Sequence, residues 1–160
     1  MPSAFPLLRR RGVKTFFMKK TAIVFMLTAL FACKKDNDDS LRYYEVGRSD
    51  IISEWRDTSF IVATSDQDLI TEIAAQLQLP VGQRKIVNGA LAPGNGGYNV
   101  NASHEFKWHF KEDNWKLGDV SAEIYDGRPY TDIDLHKDYW MDTVKRFSPW
   151  NYFIKREVQR

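Results

Sequence analysis

The chain's 160 residues, 43% of them hydrophobic and 28% charged, fit one globular domain with a single core and exclude a disordered chain. Its formal net charge of +2 is unevenly spread: the first 32 residues hold six basic residues and no acidic one, whereas the stretch from Cys33 onward carries 17 basic against 21 acidic residues, a net −4. A mildly acidic domain has no surplus of Lys and Arg with which to neutralise phosphates, so nucleic acid is excluded as a partner.

Met18, Lys19 and Lys20 lead into residues 21–32, a run of twelve mostly apolar residues that stops at Cys33. A helix needs roughly 20 such residues to cross a bilayer, so the run is too short for an anchor; a basic start, a short apolar run and the small Ala32 at the cut site make a signal peptide. Leu30-Phe31-Ala32-Cys33 resembles the lipobox of bacterial lipoproteins, whose cysteine receives a diacylglyceryl group and becomes the new N-terminus; Phe31 is bulkier than the residue usual there. Cys33 is the only cysteine, so it has no internal disulfide partner, and lipidation gives this unpaired thiol of an exported chain a role. Acyl chains on Cys33 would tie the protein to a membrane, each buried methylene contributing about 0.8 kcal/mol.

Residues 1–17 read as an upstream extension, because Met18 opens a complete signal peptide on its own. The expected organisation is an extension plus signal peptide over 1–32, a lipidated cysteine with a flexible tether over 33–50, and one globular domain over 51–160. The charge-dense stretch 34–40 has too little apolar surface to order itself. Such tethers resemble those of lipoproteins from the Bacteroidetes group, and the expected address is the bacterial cell envelope, with the outer membrane or cell surface favoured.

In the domain, residues 59–64 are β-branched and aromatic and end at a polar cluster, which predicts a strand. A helix over 66–79 follows: Leu69, Ile70, Ile73, Ala74 and Leu77 recur at helical spacing, Ser65 or Asp66 can cap it, and Pro80 stops it. Residues 85–91 predict a strand interrupted by Gly89, and 93–97 a glycine-rich loop. Over 105–111, Phe106, Trp108 and Phe110 share one face in the period-two pattern of a half-buried strand, and 119–125 alternates likewise. A turn at 126–129, a short helix over 137–145 and a strand over 150–158 complete the chain. Successive strands with one main helix predict an α+β fold, a small antiparallel sheet packed with that helix.

The chemistry-bearing residues are few. His104 and His109 lack the one-face spacing of a helical metal motif, and His109, beside Glu105 and Lys107, reads as a solvated surface histidine. Alternating Asp132, Asp134, His136 and Asp138 suggest calcium, but a calcium loop needs a glycine at its sixth position and a glutamate at its twelfth, where this chain has Lys137 and Thr143. These residues read as a solvated turn and helix cap. Glu123 and Asp126 flank a turn and form a bare carboxylate pair. No nucleophile elbow and no phosphate loop are present, and neither a cofactor nor a metal is expected. Four of the five tryptophans fall between Trp108 and Trp150; most should be core, and any exposed remainder would suggest a glycan- or peptide-binding platform.

The ordered motifs Phe60-Ile61-Val62-Ala63-Thr64-Ser65-Asp66, Arg84-Lys85-Ile86-Val87-Asn88-Gly89, Gly97-Tyr98-Asn99, Trp108-His109-Phe110, Ala122-Glu123-Ile124-Tyr125-Asp126 and Ser148-Pro149-Trp150 resemble a family of small secreted bacterial domains. Many members are catalogued as calmodulin-binding proteins, and related domains occur in secreted amoebal proteins. The resemblance spans residues 60 to 158 and implies a compact, noncatalytic, exported domain. It also implies two cysteines where this chain has Tyr125 and Ser148, a paired loss that leaves no free thiol behind. Calmodulin's usual targets present a basic amphipathic helix, whereas residues 66–79 contain no Lys or Arg, so that activity is not carried over.

The resulting expectation is a lipid-anchored, noncatalytic envelope or surface domain that binds a protein or glycan through Tyr98, His109, Trp115, Tyr130 and Trp140. A hydrolase-like enzyme using His109 with Glu123 or Asp126 is the alternative from another class. A structural envelope component is the third.

Overall fold

The computed structural model describes residues 40–119 and 127–160. Cys33, Glu123 and Asp126 lie outside them, as do the expected signal peptide and most of the expected strand over 119–125. No helix of the described residues is long and apolar enough to cross a membrane.

The described chain is mostly strand. Strands β1 (Arg42–Arg48), β2 (Ser59–Thr64), β3 (Ile86–Pro93), β6 (Trp108–Gly118), β7 (Arg146–Phe147) and β8 (Tyr152–Val158) form one antiparallel sheet in the order β2-β1-β8-β3-β6, with β7 on β3, while β4 (Val100–Asn101) and β5 (His104–Glu105) make a separate hairpin. Among the described residues the one full-length helix is α1 (Gln67–Leu77), and the Asp66 carboxylate caps it by accepting from the Asp68 and Leu69 amides at 2.9 and 3.2 Å. Its Leu69, Ile70 and Ile73 are buried, and it packs on β8 and β6. The α+β expectation thus holds in its coarse form, an antiparallel sheet with few helices.

The sheet curls until its two edge strands meet. Phe60 of β2 packs at a tilt against Trp108 and edge-on against Phe110 of β6, at 5.3 and 5.7 Å between ring centroids, and the Trp115 indole donates to the Ala63 carbonyl at 2.7 Å. Between the edges lies Asn99, fully buried, whose Oδ1 accepts from the Ile61 amide at 2.9 Å while its Nδ2 donates to the Trp108 carbonyl at 2.8 Å. Open sheet edges leave unpaired backbone groups; here side chains occupy some of them. Inside the curl sit Tyr44, Val46, Phe60, Val62, Trp108, Phe110, Phe147, Tyr152 and Ile154.

Two boundaries need correction. The expected tether over 33–50 includes β1, which lies in the sheet between β2 and β8 and buries Tyr44 and Val46. That pair is the period-two signal, too short to stand out beside the charged stretch before it. The expected helix over 137–145 is part of a longer, irregular helical stretch: π-helical turns at Pro129–Asp134 and Trp140–Val144 flank a short α2 (Lys137–Tyr139).

Gly89 marks the point where β3 slips register against β6. A Cβ there would lie 2.5 Å from Cγ and Cδ2 of Phe110, whose ring is fully buried and has nowhere to move. Gly89→Ala is therefore expected to cost about 1–3 kcal/mol by overpacking. The check is a lower urea midpoint at unchanged m-value.

Candidate functional site

Three of the five aromatic and histidine positions expected to face a partner belong to the core. Tyr98 is 2% exposed, and its hydroxyl donates to the Phe110 carbonyl at 2.9 Å. Trp115 is engaged with the β2 edge, and Trp140 packs edge-on against Phe147 at 5.8 Å. The curl of the sheet and the helical stretch of 129–144, neither visible in local periodicity, bury them. His109 is not the solvated histidine that its strand face suggested: the loop around Gly94 folds over that face. Its Nδ1 lies 2.7 Å from the Gly94 carbonyl and its ring meets Tyr98 edge-on at 5.8 Å.

Nor is the Asp132–Asp138 segment wholly solvated. The Asp132 carboxylate accepts from the Arg128 amide at 2.8 Å, but Asp134 is buried, accepts from the Lys107 amide at 2.6 Å and lies 3.3 Å from Nε2 of His104. Both carboxylates thus serve the fold. Among the described residues no group of three or more His, Cys, Asp or Glu is placed to hold a metal.

Burial raises the phenol pKa of Tyr44, Tyr98 and Tyr152 above the ordinary range. An unfolded tyrosine ionises near pH ~10, so above that pH the folded state keeps protons that the unfolded chain sheds. Stability is accordingly intact below this range and falls as pH rises through it. Phenolate absorbance should show these three of the chain's seven tyrosines ionising only as near-UV circular dichroism is lost. Ionisation of all seven ahead of unfolding would contradict the burial argument.

Tyr130 of the expected set is partly exposed, and it leads to a surface that residue patterns did not reveal. The loop over 49–58 joins β1 to β2. Within it the turn Trp55–Asp57 packs on the Pro129–Asp134 turn. Asp57 makes the junction: its buried carboxylate accepts from the Tyr130 and Thr131 amides at 2.7 and 2.9 Å and from the Thr131 hydroxyl.

On this base the Arg56 guanidinium lies 3.6 Å above the Tyr130 ring and 5.8 Å from the Trp55 ring, a cation–π stack. Nε and Nη2 of Arg56 form a two-pronged pair with Glu54 at 2.8 and 2.9 Å, which holds the Glu54 carboxyl down to about 2. His104 closes the arrangement, edge-on to both Tyr130 and Trp55 at 5.0 and 6.5 Å.

Trp55 itself is 47% exposed on a fixed backbone. Its carbonyl accepts from the Thr58 amide at 3.1 Å, the Thr58 hydroxyl at 2.7 Å and the Asn101 side chain at 2.9 Å. The signal that could have singled it out is the triplet Glu54-Trp55-Arg56, in which opposite charges two residues apart bracket an aromatic just ahead of a strand.

A surface of this kind can hold a ligand by stacking and by planar hydrogen bonding. It contains no nucleophile set against a base. Against known proteins, the family model for the N-terminal domain of calmodulin-binding protein 74 matches residues 42–160. No curated protein and no solved structure matches the chain.

Proposed function

We propose that this chain, which belongs to the family of the calmodulin-binding protein 74 N-terminal domain, is a lipid-anchored, noncatalytic binding domain of the bacterial cell envelope, held at Cys33 and meeting a protein or glycan partner through the surface around Trp55. The observation that carries the binding role is the pinned, half-exposed Trp55 beside Arg56 and Tyr130. Trp, Tyr and Arg are the residue types that dominate binding hot spots, and loops fixed on a rigid scaffold are where binding residues gather. Fixing the backbone that carries such a side chain before the partner arrives lowers the entropy lost on association.

The enzymatic alternative has less support. His109 is engaged at Nδ1 with the Gly94 carbonyl, its Nε2 lies 3.9 Å from Glu112, and Glu123 and Asp126 are outside the described residues, so no observation sets it beside the carboxylate that alternative needs. The anchoring rests on the sequence: a basic, short, apolar leader that ends in the lone Cys33.

Both halves are open to test. Mass spectrometry of the native protein should find diacylglyceryl on Cys33 and no leader; an unmodified sulfur overturns the anchor. Purified chain applied to protein and glycan arrays should select a binder that Trp55→Ala loses. Absence of any binder in both classes overturns the binding role.

A further inference from the structure

The antiparallel registers put three chain segments at one end of the sheet. Gly47 pairs with Ser59 and Arg48 with Tyr152, so the last residues of β1 and the first residues of β2 and β8 lie side by side. The loops that leave from this end carry Ile51, Trp55 and Trp150, which are 101%, 47% and 53% exposed. Neighbouring strands are about 4.8 Å apart, so the starts of β2 and β8, on either side of β1, are roughly 10 Å apart. Arg42, where the expected tether would join, lies at the other end of β1, so these loops project from the end of the sheet distal to it.

Two planar ion pairs lie among these apolar side chains. Arg48 grips Asp50 through Nε and Nη2 at 2.8 and 2.6 Å, as Arg56 grips Glu54. The Arg48 guanidinium lies 5.2 Å from the Tyr152 ring, while Arg56 is stacked on Tyr130. A guanidinium has more N–H groups than one carboxylate can accept, and each carboxylate keeps lone pairs; at the Arg48–Asp50 pair, where the side chains are 12% and 47% exposed, the carboxylate is the reachable half. The charges cancel within each pair, so both guanidiniums already hold a carboxylate and neither is left to select an anionic ligand.

We infer that this loop end is a sugar-binding tip that takes a short neutral oligosaccharide, with the C–H faces of its rings on Trp55 and Trp150 and its hydroxyls on the Arg48–Asp50 and Glu54–Arg56 pairs. The inference rests on the binding role proposed above. A pyranose presents an apolar face inside a ring of hydroxyls, and an indole plate bordered by planar donors and acceptors matches both features. A protein partner would call for a continuous apolar centre; here the exposed apolar groups are interleaved with ion pairs.

The test titrates the full chain, purified in a sugar-free detergent, with cellotetraose, chitotetraose, xylotetraose and mannotetraose, following tryptophan emission and heat. At least one should saturate. Trp55→Ala and Trp150→Ala should each weaken it about tenfold or more, as hot-spot truncation does, with melting temperatures close to the parent chain. Leu79→Ala, at an exposed apolar position beyond α1, should leave it unchanged. No saturation by any of these sugars at millimolar concentration overturns the inference, and so does sugar binding that survives loss of both tryptophans. A protein-array partner that depends on Trp55, found with no sugar binding, overturns the sugar assignment and leaves the binding role standing. Failure of both classes removes both.

Discussion

Asp57→Ala is expected to lower the unfolding free energy by about 3–5 kcal/mol, which for a domain of this size moves the melting temperature by roughly 10–20 °C. The size follows from what the side chain serves. Asp57 is fully buried, and its Oδ1 accepts both the Tyr130 and the Thr131 amide. These amides lie in the first turn of a helical segment, where no intrahelical carbonyl is available to them. Alanine leaves two buried donors and one hydroxyl without their acceptor, at about 1–3 kcal/mol for each group that water cannot reach.

Asp57→Asn supplies the control. The amide oxygen can accept the same two backbone N–H groups, and its nitrogen can donate to a Thr131 hydroxyl that rotates to accept, so only about 1 kcal/mol should be lost with the charge. Equal losses for the two variants would show that the negative charge, and not the acceptor count, is what the fold uses. Because the carboxylate joins the Trp55–Asp57 turn to the segment that carries Tyr130, Asp57→Ala should also loosen the Arg56 stack and weaken any ligand held at Trp55.

The parts of the fold that local pattern encodes were legible in the sequence. Residues 59–64 and the capped helix after them carry their own signals, and Phe106, Trp108 and Phe110 do lie on one buried face. The predicted strand there ends too early, because the polar run at residues 111–114 hides the resumption at Trp115 and Leu117, both buried in β6. Strand β1 was hidden for the opposite reason, two inward residues beside a strongly charged neighbour.

The candidate site was read less well, and the cause is topological. Which tryptophans end up outside depends on how far the sheet curls and on where 129–144 docks. The Trp108 indole, for example, donates to the Pro129 carbonyl at 2.9 Å, a contact between residues 21 apart that no window on the sequence contains. Aromatic density pointed at residues 108–150, most of whose aromatics are core; of the exposed aromatics among the described residues, Tyr139 and Trp150 lie in that stretch and Trp55 lies outside it. Density measures the supply of core material; charge placed around an isolated aromatic, as at Glu54-Trp55-Arg56, would have pointed to the exposed Trp55.

Asn99 carries the second large prediction. Its amide is at once acceptor for β2 and donor for β6, and it lies where the curled sheet would otherwise present bare backbone to its own interior. Asn99→Leu removes both roles in a near-equal volume, leaving the Ile61 N–H and the Trp108 carbonyl buried and unpaired, for an expected loss of about 3–5 kcal/mol. Asn99→Asp separates the two roles. An ionised carboxylate still accepts from Ile61 but turns a second oxygen toward the Trp108 carbonyl, two acceptors face to face. A protonated one can donate again, so this variant should regain stability as pH falls. The folded form then favours the proton more than the unfolded chain does, and by linkage stability rises on acidification. Urea unfolding of both variants across the acidic range checks this: Asn99→Leu should run parallel to the parent chain, and Asn99→Asp should converge on it. Coincident curves for all three would mean that the seam between β2 and β6 is held without the Asn99 amide, by the Phe60, Trp108 and Phe110 rings and the Trp115–Ala63 hydrogen bond.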